Sequence, residues 1–188
     1  MAIGPTDEEL MKVEKDLGYK FRDKWLLRQA FIHPSAGEFN NYRLAWIGDA
    51  AMTLVVSDLV YDSLPKASTD ILTDRRTALV MRDFCAEGAK KLGWHKVAFT
   101  GKSFPKADEQ ANRNMLAEVF EAVWGAVFKD SGNSCQAVLD AYARHFALHE
   151  VANGASASYT AIEQAASDEE ESAKAQEVAA TLANLAFK

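Results

Sequence analysis

Apolar residues recur at three- and four-residue steps along most of this chain, and the breaks between runs carry caps, glycines and prolines. In PTDEELMKVEKDLGY, Thr6 and Glu9 have capping-box spacing, Leu10, Val13 and Leu17 share a face, and Gly18 can supply a left-handed stop. Asp23 is placed to cap a short helix carrying Leu26, Leu27, Ala30 and Phe31, which must end before His33-Pro34. A longer helix runs from Asn40 or Asn41 to about Ser63, with Leu44, Ile47, Ala51, Leu54 and Val55 as its stripe and Pro65 closing it. Ser68 or Thr69 caps the next, with Leu72, Leu79 and Val80 inward, and another spans about Asp83 to Leu92, stopped by Gly93. Residues 94–108 hold Gly, Pro and basic residues and read as a loop. A helix from about Glu109 to Lys129 follows. The last runs from about Ser134 to His149, with Val138, Leu139, Tyr142 and Phe146 on one side. Period-two alternation is scarce, so the expected fold class is all-α.

Beyond Gly154 the composition shifts to Ala, Ser and Glu. We therefore divide the chain into a helical domain over 1–150 and an acidic Ala/Ser-rich tail over 151–188. Residues 155–171 are too poor in large apolar groups to offset the entropy of ordering, whereas 172–187 can form a helix through Val178, Leu182 and Leu185. The formal charge of -6 is unevenly spread: the tail holds six acids against Lys174 and Lys188, which leaves the body close to neutral. A near-neutral body is compatible with a polyanionic partner met through a local basic face or bound cations. No apolar run approaches the ~20 residues of a bilayer span, and the N-terminus lacks signal or transit character. The expectation is an intracellular protein, cytoplasmic or nuclear, with no membrane partner. Cys85 and Cys135 are far apart and lack metal-ligand spacing, which predicts buried free thiols.

Three carboxylates interrupt this pattern. Asp49 follows Gly48 inside the apolar run NYRLAWIGDAAM, and Glu118 and Glu121 punctuate LAEVFEAVWGAVF. Glu118 and Glu121, three apart, project from one helical face, where like charges repel unless a cation lies between them. Hard divalent cations take oxygen ligands, so Asp49, Glu118 and Glu121 could form a metal site if their two helices pack together. The alternative is that both glutamates lie at a solvent edge, paired with Arg43, Arg75 or Arg113.

NYRLAWIGDAAM resembles the signature helix of the ribonuclease III family, N-E-R-L-E-F-L-G-D-A-V-L. LGYKF (17–21), LLRQAFIHPS (26–35), ILTDRRTALV (71–80) and LAEVFEAVWGAVFKDSG (116–132) resemble other family segments in the same order, over residues 17–150. The resemblance implies a ribonuclease III endonuclease-domain-like helical fold, dimeric. It also implies a Mg²⁺-dependent endoribonuclease, with Mn²⁺ as a substitute, cutting double-stranded RNA to leave 5′-phosphates and short 3′ overhangs. By that resemblance Asp49 and Glu121 are catalytic metal ligands, and Glu118, which stands where the family has an aspartate, assists them. Trp46 aligns with the aromatic that anchors a homodimer interface. His33 and Ser35 are expected to tie a loop to neighbouring helices, and His95, His145 and His149 have no catalytic companions. Lys96, Lys102, Lys106 and Arg113 are candidate RNA contacts.

The chain also departs from the family. Ala45 replaces the glutamate one turn before Asp49, Tyr42 replaces an earlier one, and a further acid falls at Thr69, with Asp70 adjacent as a partial substitute. Fewer acids imply weaker metal binding. A catalytically inert relative that binds RNA or a ribonucleoprotein such as a ribosome is therefore the alternative. The Ala/Ser-rich tail has neither the length nor the pattern of a double-stranded-RNA-binding domain.

Overall fold

A computed structural model of the chain describes residues 4–144. Phe146, His145, His149 and the whole of the acidic tail lie outside those residues. Among the described residues there are seven α-helices, joined by turns and two short 3-10 segments. α1 (Asp7–Leu17) opens with the capping box expected from Thr6 and Glu9, and Gly18 ends it with φ 62°. Asp23 accepts from the Trp25 N–H to start α2 (Lys24–Ala30). α3 (Tyr42–Ser63) is followed by α4 (Thr69–Val80), capped by the Ser68 hydroxyl, and by α5 (Arg82–Lys91). α6 (Glu109–Asp130) is capped by Asp108 and α7 (Cys135–Ala143) by Ser134.

The core is built around α3 and α6, which form the largest interface; α5 and α2 pack on α6, and α4 and α7 on α3. α6 buries most of its surface because small and large residues alternate around it: Ala117, Ala122 and Ala126 let neighbours approach, while Phe120, Val123, Trp124 and Val127 fill the space between them. An aromatic cluster closes the α5–α6 side. Trp94 lies 5.8 Å from Phe120 and 6.0 Å from Trp124 between ring centroids, and Trp124 lies 5.3 Å from Tyr142.

α3 is 22 residues long and, by length and composition alone, apolar enough to cross a bilayer. In this fold it packs against α4, α6 and α7. Its buried positions, among them Leu44, Gly48, Met52, Val56 and Val60, follow one broad face, and Leu54, expected inside, lies on the other and is 58% exposed. Leu72, Leu79 and Val80 of α4 are half-buried rather than inward, because α4 sits at the edge of the bundle. Both cysteines are free, Cys85 buried as expected and Cys135 only half-buried.

The 94–108 segment is more ordered than its composition suggests. Trp94–Lys96 form a 3-10 turn, and Phe99 makes an isolated parallel bridge to Ile32. The His33 N–H donates to the Phe99 carbonyl at 2.9 Å, and the Gly101 N–H donates to the Ser35 hydroxyl at 2.9 Å. His33 Nδ1 accepts from the Ser35 N–H and lies 2.8 Å from the Ser35 hydroxyl, so its role is structural. Burial holds its pKa below the usual histidine value, favouring the neutral ring that this acceptor role requires. Gly101 has no alternative here: a Cβ would sit 1.8 Å from the Ser35 carbonyl oxygen.

Candidate metal centre

The site begins with two glycines. A Cβ added to Gly48 in α3 would lie 1.8 Å from the carbonyl oxygen of Glu121, and one added to Gly125 in α6 would lie 2.1 Å from that of Leu44. Residue 44 faces 125 and residue 48 reaches 121, so the two helices pass in opposite senses with their backbones in contact. Asp49 and Glu121 are thereby brought to one side of the crossing, Asp49 exposed and Glu121 half-buried.

Their electrostatics reflect this closeness. The Glu121 carboxyl is pushed up to about 7, first by burial and then by the charge of Asp49; Arg82 acts in the opposite sense and Glu118 adds a smaller upward push. Glu118 is itself raised by burial, against a lowering from Arg82. Its Oε2 is buried and has no hydrogen-bond partner. Such an atom carries a desolvation cost that a cation or a bound water would relieve.

The donor set therefore suits a hard divalent cation: carboxylate oxygens that repel one another, with one left unpartnered. Among the described residues no group of three or more His, Cys, Asp or Glu side chains is gathered as a ready ligand cage. What the fold provides is a pair, Asp49 and Glu121, with Glu118 one turn earlier. The alternative of a solvent edge paired with arginines does not hold among the described residues, because neither glutamate forms an ion pair with Arg43, Arg75 or Arg113.

The other predicted positions fall as follows. Ala45 is buried in the crossing, one turn before Asp49. Thr69 and Asp70 are exposed at the start of α4, and Asp70 is not among the charges acting on Glu121. Lys96, Lys102 and Lys106 lie on the 94–108 segment, Lys96, Lys102 and Lys106 all exposed. Arg113 is already engaged, donating to Asp83 at 2.6 Å. Trp46 is 78% exposed, which excludes a tryptophan buried within its own protomer. It lines a mostly apolar groove of about 740 Å³ together with Leu26, Tyr42, Leu44, Ile47 and Lys129. Sequence reasoning missed Arg82, whose charge bears on both glutamates; nothing in its spacing distinguishes it from other surface arginines.

Among the described residues, the two longest helices thus touch through paired glycines, with carboxylates beside the contact. Residues 42–132 match the ribonuclease III domain family. The chain is 36% identical to ribonuclease 3 of a Nitratiruptor species over 126 residues, 66% of this chain and 56% of that one. It is 35% identical to ribonuclease 3 of Bradyrhizobium diazoefficiens, over 66% of this chain and 52% of that one. In three dimensions it is similar to the nuclease domain of ribonuclease III from Campylobacter jejuni, with a TM-score of 0.65, 28% identity, and coverage of 73% of this chain and 98% of that one. The chain thus carries a ribonuclease III domain over residues 42–132. It spans about half the length of the curated relatives it matches.

Proposed function

We propose that this chain is a divalent-metal-dependent endoribonuclease that hydrolyses phosphodiester bonds of double-stranded RNA, leaving 5′-phosphate ends and short 3′ overhangs. The observation that carries this reading is the Asp49–Glu121 pair held at a backbone-contact crossing within a ribonuclease III domain. Asp49 and Glu121 would hold Mg²⁺, or Mn²⁺ in its place, and Glu118 would act from one turn away, directly or through water. When bound, the cation would lower the pKa of a water and stabilise charge on the phosphate oxygens. Asp49 and Glu121 contribute carboxylate oxygens, and the crossing sets their positions before substrate arrives. Because Ala45 brings no carboxylate to the neighbouring turn, we expect metal binding to be weak and cleavage to need more cation than an enzyme with the full acidic set.

The RNA partner would be read by shape and backbone, through phosphates and 2′-hydroxyls, with Lys96, Lys102, Lys106 and Arg113 as candidate contacts. Two copies are the natural assembly for cutting both strands. The exposed Trp46 beside an apolar groove on the same surface supports a symmetric homodimer in which each copy offers both parts. The Campylobacter jejuni nuclease domain has a region involved in dimer formation, consistent with this assembly.

The test is incubation of a long RNA duplex with the purified chain and Mg²⁺, beside Asp49→Asn, a chelator control and single-stranded RNA of the same sequence. We expect cutting of the duplex alone, abolished by chelation and reduced at least about 100-fold in the variant, as for removal of a group central to the chemistry. A folded dimer that binds duplex but never cuts it, across a wide range of Mg²⁺ and Mn²⁺, would instead favour the inert RNA- or ribonucleoprotein-binding relative that Ala45 suggests.

A further inference from the structure

A phosphodiester approaching Asp49, Glu118 and Glu121 meets negative charge, so a cleavage site built on these acids also needs a side-chain cation that grips phosphate. Of the described cations, one acts on both glutamates: Arg82 lowers the pKa of Glu118 and of Glu121. The packing of α5 on α6 accounts for its position. Phe84 meets Phe120 edge-on at 6.5 Å, and Asp83 binds Arg113 at 2.6 Å, which fixes the first turn of α5 along α6. Cys85 is fully buried and lies within the fields of both Glu121 and Asp49. Arg82 stands three residues before Cys85, on the same side of α5 and one turn further out. It is exposed and forms no ion pair among the described residues. The packing of α5 on α6 thus sets where Arg82 leaves the helix, and the side chain forms no ion pair with the acids.

We infer that Arg82 is the residue that binds the phosphate of the scissile strand beside the acidic site. The inference rests on the proposed metal and RNA chemistry. A guanidinium presents a planar fork of donors matched to two phosphate oxygens, and its charge persists at any working pH. The same charge opposes a divalent cation at Asp49 and Glu121. Arg82 therefore has two consequences of opposite sign: it strengthens the grip on RNA and weakens the grip on free metal. A residue that only supported the fold would not separate the two.

The experiment uses the full chain and the variants R82A and R82K, with thermal unfolding recorded for each. Mn²⁺ binding is followed by electron paramagnetic resonance without RNA, and duplex RNA binding is measured with Ca²⁺ in place of Mg²⁺. For R82A we expect Mn²⁺ affinity to rise about three- to tenfold, from removal of one nearby positive charge. Duplex affinity should fall by about three- to tenfold. R82K should keep the wild-type Mn²⁺ affinity and recover only part of the duplex affinity, because an ammonium retains the charge and loses the fork. Unchanged duplex binding in R82A, or a fall in both affinities, overturns the assignment. If R82A does not fold, R82K decides: weakened duplex binding at unchanged Mn²⁺ affinity supports Arg82, and unchanged duplex binding overturns it. Wild-type protein that binds no Mn²⁺ would bring down the metal reading itself and this inference with it, an outcome distinct from failure in the variants alone.

Discussion

Asp130 shows how one side chain can organise a region remote from the chemistry. Its carboxylate, almost fully buried at the end of α6, accepts from the N–H groups of Arg22 and Asp23 and from the Tyr19 hydroxyl, all in the connection between α1 and α2. Burial pushes its pKa up, but these hydrogen bonds outweigh burial and leave it below the usual aspartate value. A carboxyl whose folded pKa is depressed adds stability above the unfolded value, and that stability is lost as pH falls through the folded value. Asp130→Asn should cost about 1–3 kcal/mol near neutral pH, since the amide keeps one acceptor and sets its donor against N–H groups. Below about pH 4 the wild type should lose stability and the variant should lose less, so the gap between them narrows. Thermal unfolding of both proteins from pH 3 to pH 7 checks this, and parallel curves would count against it. The sequence marks Asp130 only as one acid in a turn-forming Asp-Ser-Gly, because its partners lie more than 100 positions away.

At the scale of elements, the caps at the first helices were legible: Thr6, Asp23 and Ser68 each accept from an N–H in the first turn of the helix they precede. The two central helices were legible as well, because their apolar runs are long and bounded by turn residues. Their crossing was not. Within a linear pattern Gly48 and Gly125 read as weak points, since glycine costs a helix about 1 kcal/mol relative to alanine. In three dimensions they are where two backbones meet. Leu54 misled for a different reason: it is an apolar residue on the exposed face of α3, where it lines a small groove with Cys135 and Leu139. We expect Gly48→Ala to destabilise the protein by about 3 kcal/mol, at the severe end for overpacking, because the obstructing atom is a backbone carbonyl that cannot rotate away. If the variant folds, its metal affinity should also fall, as Asp49 is moved from Glu121. Calorimetric unfolding and Mn²⁺ titration of the same sample check both effects, and a stable variant with unaltered Mn²⁺ binding would contradict them.

At the scale of the whole molecule, Trp46 marks an open surface, where Tyr42 is also 58% exposed and the groove is lined chiefly by apolar side chains. Exposed aromatics of this kind contribute most when buried at the centre of an interface. Trp46→Ala should convert the proposed dimer to monomer at micromolar concentration, with little change in monomer stability because the side chain makes few contacts within its own chain. Light scattering across a dilution series, with circular dichroism as the control for folding, checks this; an unchanged mass would place the interface elsewhere. The touching glycines carry a last consequence, for how such a protein can change. Because the frame is set by atoms that are missing, neither glycine can be exchanged alone: a side chain at either position needs a matching retreat of the opposite backbone. Ala45, one turn before Asp49, is itself buried, so a longer side chain there must also find room in a packed surface. The crossing is thus inherited as a unit rather than residue by residue.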